Sequence, residues 1–188
     1  MGNMSDGTYE KEGLILKEFD QELNDKYDII GKETCDYFLS DQFYELVKNG
    51  LVKIEILSYR EDEPKLADIK ITFFKEGGSV EVKKVKFVEP EVKDGGGTGW
   101  DSMLKYGTVH IPARKKWCKA DYFVVIKHSL DELLVCQSKK ATKCPPIKKK
   151  CQPNGKIGSF FDVPLKICAF YKLKDNHWIM TKKEGEDC

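Results

Sequence analysis

Between residues 66 and 88 the chain alternates polar and apolar side chains about a glycine pair. Leu66-Ala67-Asp68-Ile69-Lys70-Ile71 is followed, beyond Glu76-Gly77-Gly78, by Val80-Glu81-Val82-Lys83. A period of two is the signature of a strand, and paired glycines between two such segments mark a hairpin. The pattern predicts strands over 66–74 and 79–88, with a third over 51–58 before them. Further on, Asp121-Tyr122-Phe123-Val124-Val125-Ile126 reads as a buried strand and Leu133-Leu134-Val135-Cys136 as another. These pieces commit the chain to a sheet. The expected fold is α/β: one domain, with a central mixed β-sheet flanked by helices.

The flanking helices are expected at 8–27 and 40–49. In the first, Ile15, Leu16, Phe19 and Leu23 recur at helical spacing, with Thr8 or Asp6 as cap. The second opens at Ser40 or Asp41 and closes at Asn49-Gly50. The glycine-rich run from Lys93 to Trp100 reads as a loop, and without a Gly-Lys-Ser/Thr ending it does not support a phosphate-binding P-loop. A helical turn is expected at 100–106. Residues 137–156, rich in lysine and proline, read as an exposed insertion or long loop. Strand-like segments over 159–171 and around His177-Trp178-Ile179 close the chain.

The 188 residues suffice for one domain with a proper core, and no apolar run approaches the roughly 18–20 residues that span a membrane. The opening residues lack the basic and apolar parts of a secretory signal. A cytoplasmic protein with no membrane partner is expected, inside a virus-infected host cell being one setting. A net charge of +1 conceals a split: residues 1–63 hold 16 acids against 7 bases, whereas residues 103–174 hold 16 bases against 4 acids. Such asymmetry suggests that the second region meets a polyanion, although a solvated lysine-rich surface would look the same. Only Arg60 and Arg114 among the 32 bases are arginines, which favours contacts to phosphate over bidentate reading of base edges. Candidate phosphate contacts are Lys105, Arg114, Lys115, Lys116, Lys139, Lys140, Lys148, Lys149 and Lys150. Trp100, Tyr106 and Trp117 are interleaved with them; they can stack bases or serve as core aromatics, the latter favoured for Trp117. The seven cysteines contain no C-x-x-C pair. Cys136, Cys144 and Cys151 could share a metal, but ordinary thiols are the default, and an odd count leaves one unpaired in any disulfide scheme.

Chemistry can reside on the hairpin. If the two strands pair so that Asp68 meets Glu81, two carboxylates and Lys83 share one patch. That patch suits a hard divalent cation such as Mg2+ or Mn2+, with the Val82 carbonyl as a further oxygen ligand. A lysine beside such an ion can orient water or stabilise the charge that builds up when a phosphodiester is cut. Glu-x-Lys on a half-exposed strand is also what an ordinary solvated face looks like.

The order of elements resembles a known family. A helix bearing glutamate, a strand, Ala67-Asp68 on a strand, a hairpin, Val80-Glu81-Val82-Lys83 and a later helix–strand unit are similar to the PD-(D/E)XK nuclease superfamily of restriction endonucleases and Holliday-junction resolvases, over roughly residues 8–127. Ala67 stands where that motif usually has proline. The resemblance implies a restriction-endonuclease-like sheet and a metal-dependent DNA nuclease with catalytic Asp68, Glu81 and Lys83. It also implies an assisting helical glutamate, Glu12, with Glu10 as fallback, and a homodimer where two strands are cut. The rival readings are a non-catalytic nucleic-acid-binding protein using the basic 103–156 region and a protein-interaction module. Geometry separates them: in a nuclease the carboxylates of Asp68 and Glu81 converge.

Overall fold

The computed structural model describes residues 8–11, 14–17, 21–58, 67–76, 80–93, 99–150 and 157–185. In chain order its elements are β1 (Thr8–Lys11), β2 (Leu14–Lys17), α1 (Gln21–Gln42), α2 (Tyr44–Lys48), β3 (Val52–Ile56), β4 (Ile69–Phe74) and β5 (Val82–Lys93). Then come α3 (Trp100–Tyr106), β6 (Thr108–Pro112), a 3₁₀ turn (Ala113–Trp117), β7 (Tyr122–Lys127), β8 (Glu132–Gln137), α4 (Ser138–Ala141) and β9 (Pro146–Lys150). The last are β10 (Ile157–Pro164), a second 3₁₀ turn (Leu165–Ile167), β11 (Cys168–Lys174) and β12 (His177–Lys182).

The fold is a mixed α/β single domain. Seven strands form the main sheet in the order β12-β11-β8-β7-β5-β4-β3, and β6, β10 and β9 form a second sheet. Every pairing in the main sheet is antiparallel except that of β5 with β7, which is parallel and runs from Val88↔Tyr122 to Lys93↔Lys127. Asp121 fastens this seam: its carboxylate accepts from Phe87 N at 2.9 Å and from Lys86 Nζ at 2.7 Å, and its own amide donates to Phe87 O at 2.8 Å.

Two cores lie on opposite faces of the main sheet. One joins Cys35, Phe38 and Leu39 of α1 to Ile69, Ile71, Val88, Val124 and Ile126. The other joins Phe123, Val125 and Leu134 to Trp100 and Met103 of α3 and to Val109, Ile111, Phe161 and Val163 of the second sheet. Consecutive residues of β7 therefore serve opposite cores, which is why its sequence is apolar without alternation. Gly107, at φ 70°, ends α3 in the left-handed conformation that glycine adopts without steric penalty.

Helix α1 crosses β5 closely. Gly31, Cys35, Phe38 and Leu39 form its buried stripe, and a Cβ on Gly31 would lie 3.1 Å from Val92 Cγ2. Gly31→Leu should therefore destabilise the fold by about 1–3 kcal/mol through overpacking. Urea unfolding measures this, and adding Val92→Ala in the same chain should recover most of the loss.

Several sequence expectations need correction. Residues 8–11 and 14–17 form the antiparallel strands β1 and β2 with register Thr8↔Lys17 to Lys11↔Leu14, and the long helix starts only at Gln21. Leu14-Ile15-Leu16 is a short apolar run that fits either period, and strand pairing decided it. The helix expected at 40–49 is divided between the end of α1 and the short α2. Residues 137–156 are not simply a loop, since α4 and β9 lie within them and β9 pairs with β10. Strand β5 continues to Lys93, five residues beyond its expected end at 88.

Candidate active site

The β4–β5 register determines which carboxylates meet. Ile69 pairs with Val88 and Phe74 with Val82, so Asp68 lies beside Glu89, and Glu81 is at the far end of the ladder, roughly 20 Å away at strand rise. The Asp68 amide donates to Glu89 Oε2 at 3.4 Å. Glu81 is instead paired with Lys75 at the hairpin end, where Glu81, Val82 and Lys83 are all exposed. The expected cluster of Asp68, Glu81, Val82 and Lys83 is thus not assembled: Asp68 belongs to a site, and the other three belong to a solvated strand end. Glu12 lies outside the described residues, as does the side chain of Glu10.

The site that does form is a line of charged side chains centred on the β5 face away from α1. Alternation along β5 sends Val88 and Pro90 into the sheet core and leaves Glu89, Glu91 and Lys93 partly buried on the other face. The 3₁₀ turn after β6 delivers Lys115, whose ammonium lies 3.1 Å from Glu89 Oε1 and 3.2 Å from Glu91 Oε2. Lys93 donates to Glu91 Oε1 at 2.7 Å and to His110 O at 2.9 Å, tying β5 to β6. At the other end, Lys32 of α1 lies 3.5 Å from Asp68 Oδ1 and 2.6 Å from Asp28. Asp28, Lys32, Asp68, Glu89, Lys115, Glu91 and Lys93 form one chain of contacts from helix to second sheet.

Protonation differs sharply along this chain. Burial, reinforced by the charge of Glu89, pushes the Asp68 carboxyl up to about 6 against the opposing effect of Lys32. Burial also penalises the charge of Glu91, but Lys93 and Lys115 outweigh it and hold that carboxyl down at about 2. Burial would neutralise Lys115, yet Glu91 and Glu89 prevail and raise its pKa above the usual lysine range. Lys115 therefore remains charged, whereas the negative charge of Asp68 is under-compensated.

Sequence reasoning placed Lys115 among the phosphate contacts; it is instead nearly enclosed, at 12% side-chain exposure, within the carboxylate site. Lys105, Arg114, Lys116, Lys139, Lys140, Lys148 and Lys149 are exposed. Lys140 pairs with Glu184, and Lys149 lies 2.9 Å from His110 Nε2, which itself faces Asp162 at 3.0 Å. The Lys150 side chain is outside the described residues. Trp100 is buried, and Trp117, expected in the core, is 67% exposed.

Among the described residues, Cys35, Cys118, Cys136, Cys144 and Cys168 are free thiols, and Cys136 faces Cys168 across β8 and β11. Cys151 lies outside them. No group of three or more His, Cys, Asp or Glu side chains among the described residues is arranged to hold a metal ion. Nor is any described helix long and apolar enough to cross a membrane. Glu89 and Glu91 were missed because Pro90 between them reads as a strand breaker. At that point β5 has run past Ile69, the first residue of β4, so the proline costs no ladder bond on that side. The available signal was Glu91-Val92-Lys93, a second Glu-x-Lys ten residues after the first.

Comparison of the chain with protein-family models, curated proteins and solved structures gave no match.

Proposed function

We propose that this protein is a divalent-metal-dependent nuclease hydrolysing DNA phosphodiesters, with Asp68 and Glu89 as its metal carboxylates and Lys115 as its lysine. The observation that carries this reading is the meeting of Asp68 and Glu89 on adjoining strands with an ammonium fixed beside them. The resemblance to PD-(D/E)XK nucleases rests, in the sequence, on Glu81 and Lys83, which lie away from this site; what carries over is an aspartate just before β4 and a glutamate on β5, with the lysine supplied instead by the turn after β6.

The donor chemistry fits Mg2+ or Mn2+. Asp68 and Glu89 supply hard oxygens, and the raised pKa of Asp68 marks negative charge that a cation would relieve. When bound, such an ion neutralises charge on phosphate and makes water more acidic. Lys115 keeps its proton and so serves as a fixed positive charge for the phosphate oxygens rather than as a base. Glu91 holds that ammonium in place, and Lys93 in turn braces Glu91. A non-catalytic binding protein is the second reading. It is favoured by the fact that Lys115 and Lys93 already neutralise Glu89 and Glu91.

Cleavage of plasmid and single-stranded DNA with magnesium decides between them. Glu89→Gln should lose cleavage at least about 100-fold, corresponding to about 2.7 kcal/mol of the barrier. Glu81→Gln, at the solvated hairpin end, should cut at the wild-type rate. If wild-type protein shows no magnesium-dependent cleavage, the binding reading replaces the nuclease.

A further inference from the structure

The turn that sends Lys115 into the carboxylate site presents three of its other side chains to solvent, while Ala113 packs against the core. Arg114, Lys116 and Trp117 are all exposed, and none of the turn's residues belongs to the set of buried ones. A 3₁₀ helix has three residues per turn, so side chains at i and i+3 eclipse. Arg114 and Trp117 thus share one edge of the turn, and Lys115 leaves from another. Residues 115 and 117 are separated by only about 4 Å along the helix axis. The other two tryptophans of the chain, Trp100 and Trp178, are 5% and 4% exposed and belong to the two cores. Trp117 is 67% exposed and has no such structural duty.

An indole left in water beside a guanidinium forfeits the stabilisation that its burial would give. Both groups offer flat faces that stack on nucleobases, and Arg114, Lys116 and Lys119 provide charge for the adjoining phosphates. In a duplex the base faces are covered by their neighbours. In a single strand they are accessible. We propose that Trp117 and Arg114 form a stacking platform for an unpaired base, selecting single-stranded nucleic acid and seating the strand beside the Asp68–Glu89 carboxylates. The choice of substrate rests on the nuclease reading; the stacking itself does not.

The experiment is a fluorescence titration of the full chain with oligo(dT) and with a blunt duplex of the same length, in EDTA so that no cleavage is needed. Because the other two indoles are buried, quenching reports on Trp117. The single strand should quench the emission saturably and bind more tightly than the duplex. In fluorescence anisotropy with labelled oligo(dT), Trp117→Ala should weaken binding about 5- to 150-fold, the range expected for one lost base–aromatic stack, and Trp117→Phe should restore part of it. Arg114→Ala should both weaken binding and flatten its salt dependence by about 0.7 in log–log slope. Unmoved emission at saturating oligo(dT), equal affinity for duplex, or an unchanged affinity in Trp117→Ala would overturn the platform. Quenching without magnesium-dependent cleavage would remove the nuclease reading and leave the platform standing. Cleavage with unmoved emission would do the opposite.

Discussion

Replacing Asp68 with asparagine should raise the melting temperature at pH 8 and, under the nuclease reading proposed above, abolish cleavage. The side chain is 26% exposed and its carboxyl is held at about 6, against about 3.9 for an unfolded aspartate. Two pKa units correspond to about 3 kcal/mol of penalty against the charged native form. Asparagine removes the charge at nearly constant shape but leaves Lys32 with one partner fewer, so a net gain of about 1–2 kcal/mol is expected, or about 2–4 °C for each kcal/mol in a chain of this size. The pH profile identifies the cause. Because the native carboxyl binds its proton more tightly than the unfolded one, wild-type stability is highest with respect to this group below about pH 4 and declines as pH rises to about 6. The advantage of the variant should therefore grow across that interval and level off above it. Differential scanning fluorimetry from pH 4 to 8 measures it; a variant that melts below wild type at pH 8 contradicts the buried-charge account. A gain in stability on removing a buried charge is the trade-off that the nuclease reading expects of a site kept for function rather than for cohesion.

Lys115→Met produces the opposite effect, and a larger one. It deletes the ammonium between Glu89 and Glu91, leaving Glu91 without one partner and Glu89 beside Asp68 unrelieved, a change of the kind that costs about 3–5 kcal/mol when one partner of a buried pair is removed. Glu91 contributes stability that is present above its unfolded value of about 4.3 and is lost as pH falls through about 2. In the variant that contribution shrinks, so the deficit relative to wild type is full at pH 8 and narrows as the solution is acidified below about pH 4. Chemical denaturation at pH 8 and pH 3.5 tests this directly. Millimolar magnesium should raise the melting temperature of the variant more than that of wild type, because an ion on Asp68 and Glu89 relieves the exposed repulsion. Absence of any response in both proteins would argue against a cation site there.

Much of the sheet was legible, and little of the site. Strands with strict alternation, such as Ile69-Lys70-Ile71, or with unbroken burial, such as Phe123-Val124-Val125-Ile126, carry their period in a few adjacent residues. Helix α1 was harder. Its buried positions, Gly31, Cys35, Phe38 and Leu39, include a glycine and a cysteine, and the stripe is visible only once Val92 beneath Gly31 explains why no side chain is needed there. Asp68 stood out as a candidate because it is the one acid in the Leu66–Ile71 segment. Its partner did not, because register is a property of two strands together. The Gly77-Gly78 hairpin pointed to Glu81, while the ladder runs on past Pro90 and brings Glu89 alongside. Lys115 was assigned to the surface by its basic neighbours, and only its delivery into the carboxylates by a 3₁₀ turn distinguishes it from Arg114 and Lys116.

The single parallel seam has a consequence for how the protein is born. The strands on one side, β3, β4 and β5, pair in chain order, and so do β7 and β8 on the other, whereas β5 and β7 meet only after some thirty residues have been looped out. The turn carrying Lys115 lies in that loop, and the strand before it is anchored by β10, with Pro112 against Phe160. Contacts so distant in sequence are late and slow, because loop closure must precede the interactions that reward it. The carboxylates of β5 are therefore expected to gain their lysine late in folding. An unfinished chain, still on the ribosome or arrested midway, holds its acidic residues without their counterion, and any activity that depends on the complete constellation is withheld until the whole molecule has closed.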